Sequence, residues 1–141
     1  MTEPTFREID HTADIGIEVD ADTPGELFQC AGMALFSLMV QPRGIQAREV
    51  REAAVHAAEG WEQLFHDWLS HLLHQFLQDG FIAATIAILE INEGHVHARL
   101  IGEKLDYDRH EFETEIKAVT YHQLSVTCDQ GRWHARVIFD V

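Results

Sequence analysis

An α+β fold is predicted for this chain: antiparallel or mixed sheets packed with two main amphipathic helices, in a single compact domain spanning residues 1–141. Three observations predict it. Strand-like and helix-like segments come in groups instead of alternating one for one, which argues against a doubly wound sheet. Two segments, and only two, carry a sustained three-to-four residue apolar period. The length of 141 residues, with 46% hydrophobic residues, fits one ordinary core.

The elements follow in order. Phe6 to Ile9 reads as a short strand entering the turn His11-Thr12-Ala13-Asp14. Ile15, Ile17 and Val19 then alternate with Gly16, Glu18 and Asp20, the period of a half-buried strand. Thr23-Pro24-Gly25-Glu26 is a capping box with proline at the first helical position. The helix it opens runs to about Met39 on a stripe of Leu27, Phe28, Ala31, Leu35, Leu38 and Met39, and Pro42 and Gly44 end it. Arg48 to Ala57 suggests a strand at a sheet edge. The second helix, from Trp61 to Leu77, keeps a strict i, i+3, i+4 stripe and stops at Asp79-Gly80. Phe81 to Ile91 reads as a buried strand, Asn92-Glu93-Gly94 as a tight turn, and His95 to Ile101 as the returning arm of a hairpin. Gly102 to Glu111 reads as a polar loop. Three strands close the chain, Glu115 to Thr120, Leu124 to Cys128 and Trp133 to Asp140, the last two joined by the turn Asp129-Gln130-Gly131-Arg132.

Charge narrows the function classes. Ten Lys and Arg stand against 24 Asp and Glu, a net charge of −14. A direct grip on nucleic acid needs the opposite balance; cations and basic protein surfaces suit this one, and solubility alone also explains it. Cys30 and Cys128 belong to no C-x-x-C pair and read as reduced, buried thiols. The N-terminal residues lack the basic-then-apolar pattern of a secretory signal, and no run is long and apolar enough to span a bilayer. A cytoplasmic protein with no membrane partner is expected.

The candidate chemistry is sparse. Asp14 sits in a short polar turn and Asp140 is next to last. If the final segment is tied into a sheet, Asp140 and the Val141 backbone can face Asp14 and form an oxygen-rich site for a calcium- or magnesium-type cation. An aspartate in a turn is more often a backbone hydrogen-bond acceptor, and one near a chain end is more often solvated. His11 and Thr12 would cap the turn or add ligands. Asp106 and Asp108 form a D-x-D pattern without the glycine and distal glutamate of an EF-hand; a solvated loop with Arg109 paired to a neighbouring acid is the default. Lys117 either neutralises an anionic site or blunts a sheet edge. His66, His71 and His74 do not read as a ligand set. No nucleophile-base pair, zinc spacing, phosphate-cradling loop or dinucleotide fingerprint is legible, so a cation-binding interaction module explains the chain better than an enzyme.

Four segments in order, D-H-T-A-D-I-G, L-F-H-D-W-L-S-H-L-L, G-E-K-L-D…R-H…E-I-K-A-V-T-Y-H-Q-L-S-V and R-V-I-F-D-V, resemble the archease family over nearly the whole length. The resemblance implies an accessory protein, not an enzyme. Its partner would be the tRNA-splicing RNA ligase, which joins 3′-phosphate or 2′,3′-cyclic phosphate RNA ends to 5′-hydroxyl ends. The accessory protein would promote GTP-dependent guanylylation of the ligase and its repeated turnover. The family's metal site maps onto Asp14 and Asp140, with Val141 as a further oxygen donor. The metal implied is a divalent cation, calcium first, with magnesium or manganese as alternatives. The family's functional lysine maps onto Lys117; His11 fits the motif without an assigned role. Ser70-His71, where the family pattern has Asn-Glu, and Gln123, where it has a small residue, depart from the pattern and bear on the partner-facing surface. A general chaperone-like module acting by surface contact without metal is the competing reading. A metal-dependent hydrolase using the same carboxylates is a third, disfavoured by the lack of a general base and nucleophile.

Overall fold

A computed structural model describes residues 3–11 and 14–141, with the side chains of Asp10 and His11 outside the description. The element order is β1 (Thr5–His11), β2 (Asp14–Ala21), α1 (Pro24–Met39), β3 (Glu49–His56), α2 (Trp61–Asp79), β4 (Phe81–Asn92), β5 (His95–Lys104), β6 (Ala118–Val119), β7 (Ser125–Asp129) and β8 (Arg132–Asp140). Every described strand pair is antiparallel. One sheet runs β1-β2-β8-β6, with β7 also on β8; the other runs β3-β5-β4. The α+β expectation holds, and the sheets are antiparallel, not mixed.

Both helices touch both sheets. Helix α1 begins as the capping box requires: the Thr23 hydroxyl accepts from the Glu26 amide at 3.1 Å. Helix α2 ends at Gly80, whose φ of +79° is the left-handed cap that glycine adopts without strain. The aromatic stripe of α2 is core. Trp68 is fully buried, its indole N–H donates to the Phe28 carbonyl at 3.0 Å, and the Phe28 ring packs against Trp61 and Phe65. A buried indole N–H needs such an acceptor.

Four expectations need correction. The strand expected over Glu115 to Thr120 shrinks to Ala118–Val119. The polar loop starts at Leu105, not Gly102, because β5 continues through Lys104. Strand β4 is not buried throughout: Phe81, Ile82, Ala83 and Ile86 are inside, whereas Thr85, Ala87 and Leu89 are exposed. Register shifts at Ala83/Thr85 and Ile88/Glu90 interrupt the ladder of this edge strand, a usual device of a strand with a free edge. Cys128 is exposed and Cys30 half-buried; neither forms a disulfide.

Candidate functional site

The two strands joined by β2–β8 pairing come from opposite ends of the sequence. Their register sets Asp14 directly across from Asp140, then Gly16 across from Ile138, Glu18 from Arg136 and Asp20 from His134. Alternation decides the faces. Ile17, Val19, Ala21, Ala135, Val137 and Phe139 are buried toward the helices, so Asp14 and Asp140 stand on the other face. Asp14 is the first residue of β2 and not a turn residue, as the sequence suggested; β1 also extends further than expected, to His11. The same transverse row includes His11, opposite Asp14, and Ala118, opposite Asp140. The ligand roles expected of Thr12 and of the His11 side chain lie outside the described residues.

Directly opposed residues of an antiparallel pair have Cβ atoms about 4.5–5.5 Å apart, and like charges there repel. Elsewhere on this face the acids meet cations. Glu18 accepts from Arg7 at 2.6 Å and from Arg136 at 3.3 Å, Asp20 lies 2.9 Å from the His134 ring, and Asp22 pairs with Arg132 at 2.8 Å. At the end of the same pair of strands, Asp14 stands across from Asp140. Among the described residues no group of three His, Cys, Asp or Glu side chains is placed to hold a metal. Carboxylate and backbone carbonyl oxygens would make an all-oxygen donor set, which suits a hard divalent cation and not a thiophilic one.

Gly16 makes the close approach possible. A Cβ there would lie 2.7 Å from Ile138 Cδ1 and 2.8 Å from the Val137 carbonyl oxygen. Any larger residue would push β2 off β8 two positions from the paired acids.

Lys117 is tied to the same end of the sheet by its backbone, whose N–H donates to the Asp140 carbonyl at 2.8 Å. Its exposed residue borders a cavity of about 200 Å³ lined by Ser70, Leu73, His74 and Leu77 of α2 together with Ala118 and Val119. Val141 is 36% exposed and follows directly on Asp140. The structure thus gathers Asp14, Asp140, Val141 and the Lys117 backbone at one end of the five-stranded sheet.

The G-E-K-L-D…R-H segment has a different job, which sequence reasoning missed. Among the described residues, Glu103 and His110 are the buried charged or polar ones, 3% and 5% exposed. The Glu103 carboxylate accepts from the Gln46 amide at 2.6 Å, from Arg109 and from His110 Nε2 at 3.0 Å. His110 Nδ1 accepts from the Asp106 amide at 2.9 Å, which makes Nε2 the protonated nitrogen. Burial by itself would raise the Glu103 pKa, but the Arg109, Gln46 and His110 hydrogen bonds outweigh it and hold the carboxyl down at about 2. The D-x-D pair is a turn: Asp106 accepts from the Asp108 amide at 3.0 Å and pairs with Arg109 at 3.3 Å. The signal available in sequence was the neighbouring Gly102, where a Cβ would lie 1.9 Å from the Ile82 carbonyl oxygen, marking the preceding backbone as packed.

The chain matches the model of the Archease protein family over residues 6–141. It is 38% identical to the protein archease of Methanopyrus kandleri, covering 96% of this chain and 99% of that one. It is 35% identical to the protein archease of Methanosarcina barkeri, with 96% and 95% covered. The fold is similar to the solution structure of Methanobacterium thermoautotrophicum protein 1598, with a TM-score of 0.81, 29% identity and coverage of 96% and 98%. It is also similar to the crystal structure of an archease, described as a possible chaperone, from Thermotoga maritima, with a TM-score of 0.64, 30% identity and 96% of each chain covered.

Proposed function

Because the chain belongs to the archease family, we propose that it activates a tRNA-splicing RNA ligase in the cytoplasm, promoting GTP-dependent guanylylation and repeated turnover of that enzyme. The observation that carries this reading is the direct cross-strand opposition of Asp14 and Asp140. Two carboxylates held on adjacent strands of a sheet keep their spacing without a partner present, so the site is organised before docking. A divalent cation held there, calcium first and magnesium or manganese as alternatives, would supply a positive centre for phosphate oxygens. Asp14 and Asp140 hold that position, the Val141 backbone adds an oxygen, and the Lys117 N–H orients the Asp140 peptide through its carbonyl. The chain itself supplies position and charge, and the bond making belongs to the ligase.

The test is a guanylylation assay with ligase, GTP and metal. Asp14→Asn and Asp140→Asn should each cut stimulation by about tenfold or more while the circular dichroism spectrum is retained. Stimulation by either variant equal to that of the native chain would end the proposal. The description of the Thermotoga maritima relative as a possible chaperone favours a second reading, general protection of proteins by surface contact. Suppression of aggregation of unrelated proteins, undiminished in Asp14→Asn, would favour that reading over ligase activation.

A further inference from the structure

Strands β6 and β7 lie along the same side of β8, but they do not form one continuous ladder. Strand β6 pairs with Asp140 and Phe139, and β7 pairs with Arg136 through Arg132. The Thr120 amide still donates to the Ile138 carbonyl at 3.0 Å, and residues 121–124 then leave the ladder. This excursion is held by its own bonds. The Thr120 hydroxyl donates to the Ile138 carbonyl at 2.8 Å and accepts from the His122 amide at 3.2 Å. The Leu124 amide donates to the Tyr121 carbonyl at 3.2 Å. Gln123 takes a left-handed φ of 55°, and its side-chain oxygen accepts from Arg136 at 2.7 Å. Such bulges re-aim side chains beside functional sites.

The side chain this bulge presents is Tyr121. Its ring stacks on that of His66, with centroids 3.9 Å apart and planes 12° from parallel. His66 is pinned in turn, with Nδ1 2.9 Å from the Asp67 carboxylate and Nε2 3.0 Å from the Val119 carbonyl. One face of the tyrosine is therefore covered by a fixed support, yet the residue remains 59% exposed. Partial burial and the negative charges of Asp67 and Glu59 push its phenol pKa up, so these acids act on the ring's surroundings.

A rigid aromatic face beside carboxylates fits a planar cation. A guanidinium can lie flat on the open face, attracted by the ring and by the surrounding negative charge, a fit an ammonium matches less well. A nucleobase would also stack, but its phosphates would meet Asp67, Glu59 and a chain of net charge −14. We propose that Tyr121, backed by His66 and flanked by Asp67, is a docking point for an arginine side chain on a basic protein partner. That this partner is the ligase rests on the reading above; the arginine recognition does not.

The test is an NMR titration of the full chain with an arginine-rich nonapeptide and with its lysine counterpart. Tyr121 and His66 resonances should shift saturably, with the arginine peptide binding about tenfold tighter. Tyr121→Ala should abolish that preference, Asp67→Asn should weaken binding of both peptides, and Tyr121→Phe should keep the preference, since the stacking face survives. Equal affinity for the two peptides, unchanged binding by Tyr121→Ala, or tighter binding of a single-stranded oligonucleotide at the same resonances would overturn the proposal. In the guanylylation assay, Tyr121→Ala should raise the concentration giving half-maximal stimulation by about tenfold, whereas Asp14→Asn lowers stimulation at every concentration. Arginine recognition without ligase stimulation by the native chain would leave the docking point standing and remove the ligase. Ligase stimulation indifferent to Tyr121→Ala would keep the ligase reading and overturn only the assignment of this docking point to the ligase.

Discussion

Glu103 shows how much one buried carboxylate organises. It fastens the start of the segment that carries Lys117 by accepting from Gln46 on one side and from Arg109 and His110 on the other. Removing its charge leaves donors buried against a neutral group, a loss of about 2 kcal/mol in folding stability. For Glu103→Gln this corresponds to a fall in Tm of about 6 °C, readable by calorimetry. The pH dependence follows from the direction of the shift. The carboxyl is held at about 2 against an ordinary value of 4.5, so the folded state binds its proton less readily than the unfolded chain. Its contribution is complete above the unfolded value and is lost as pH falls through the folded one. Between about pH 4.5 and pH 2 the native chain should therefore lose stability more steeply than Glu103→Gln. Equal slopes in acid denaturation would show that this carboxylate does not carry the difference.

Individual elements decide whether the acids meet. Gly16 sits where a methyl group would collide with Ile138 Cδ1 and with the Val137 carbonyl oxygen. Trimming Ile138 relieves only the first contact, because the second is backbone. Gly16→Ala should thus cost about 2 kcal/mol and reduce ligase stimulation, and adding Ile138→Val should restore only part of the stability; full rescue by the double variant would place the strain in the side chain alone. The same elements explain what could be read in advance. Helix α2 was legible because its stripe never breaks, and α1 because Thr23, Pro24 and Glu26 mark its start. The approach of Asp14 to Asp140 was legible only as a condition, since β2–β8 pairing depends on register across nearly the whole sequence. Strand β6 was overestimated because Glu115-Ile116-Lys117 has strand-like composition but lies outside the described ladder. The buried Glu103 was hidden because a charged residue in a polar run gives no period, and its burial depends on Gln46 and Arg109 arriving from elsewhere. Tyr121 stands in the sequence only as one letter of the K-A-V-T-Y-H segment; its support, His66, is 55 positions earlier and invisible without the fold.

At the scale of the molecule, the proposed cation would act as a clasp. Strands β2 and β8 bring together residues near the two ends of the sequence, and β8 in turn holds β6 and β7. A ligand bound only to the folded form stabilises it by RT ln(1 + [L]/Kd), about 2.7 kcal/mol at a hundredfold excess over Kd. The unfolded chain separates Asp14 from Asp140 and offers no comparable site, so the full linkage applies. Millimolar calcium should then raise the Tm of the native chain by several degrees, with chelator reversing the change. The rise should vanish in the Asp14→Asn/Asp140→Asn double variant. Loss of the calcium effect in that variant separates a bridging ion from general screening of 24 acidic side chains. Screening would lift both proteins alike and would be matched by an equal ionic strength of sodium chloride. A calcium-induced rise that survives in the double variant would assign the effect to the surface as a whole and remove the clasp.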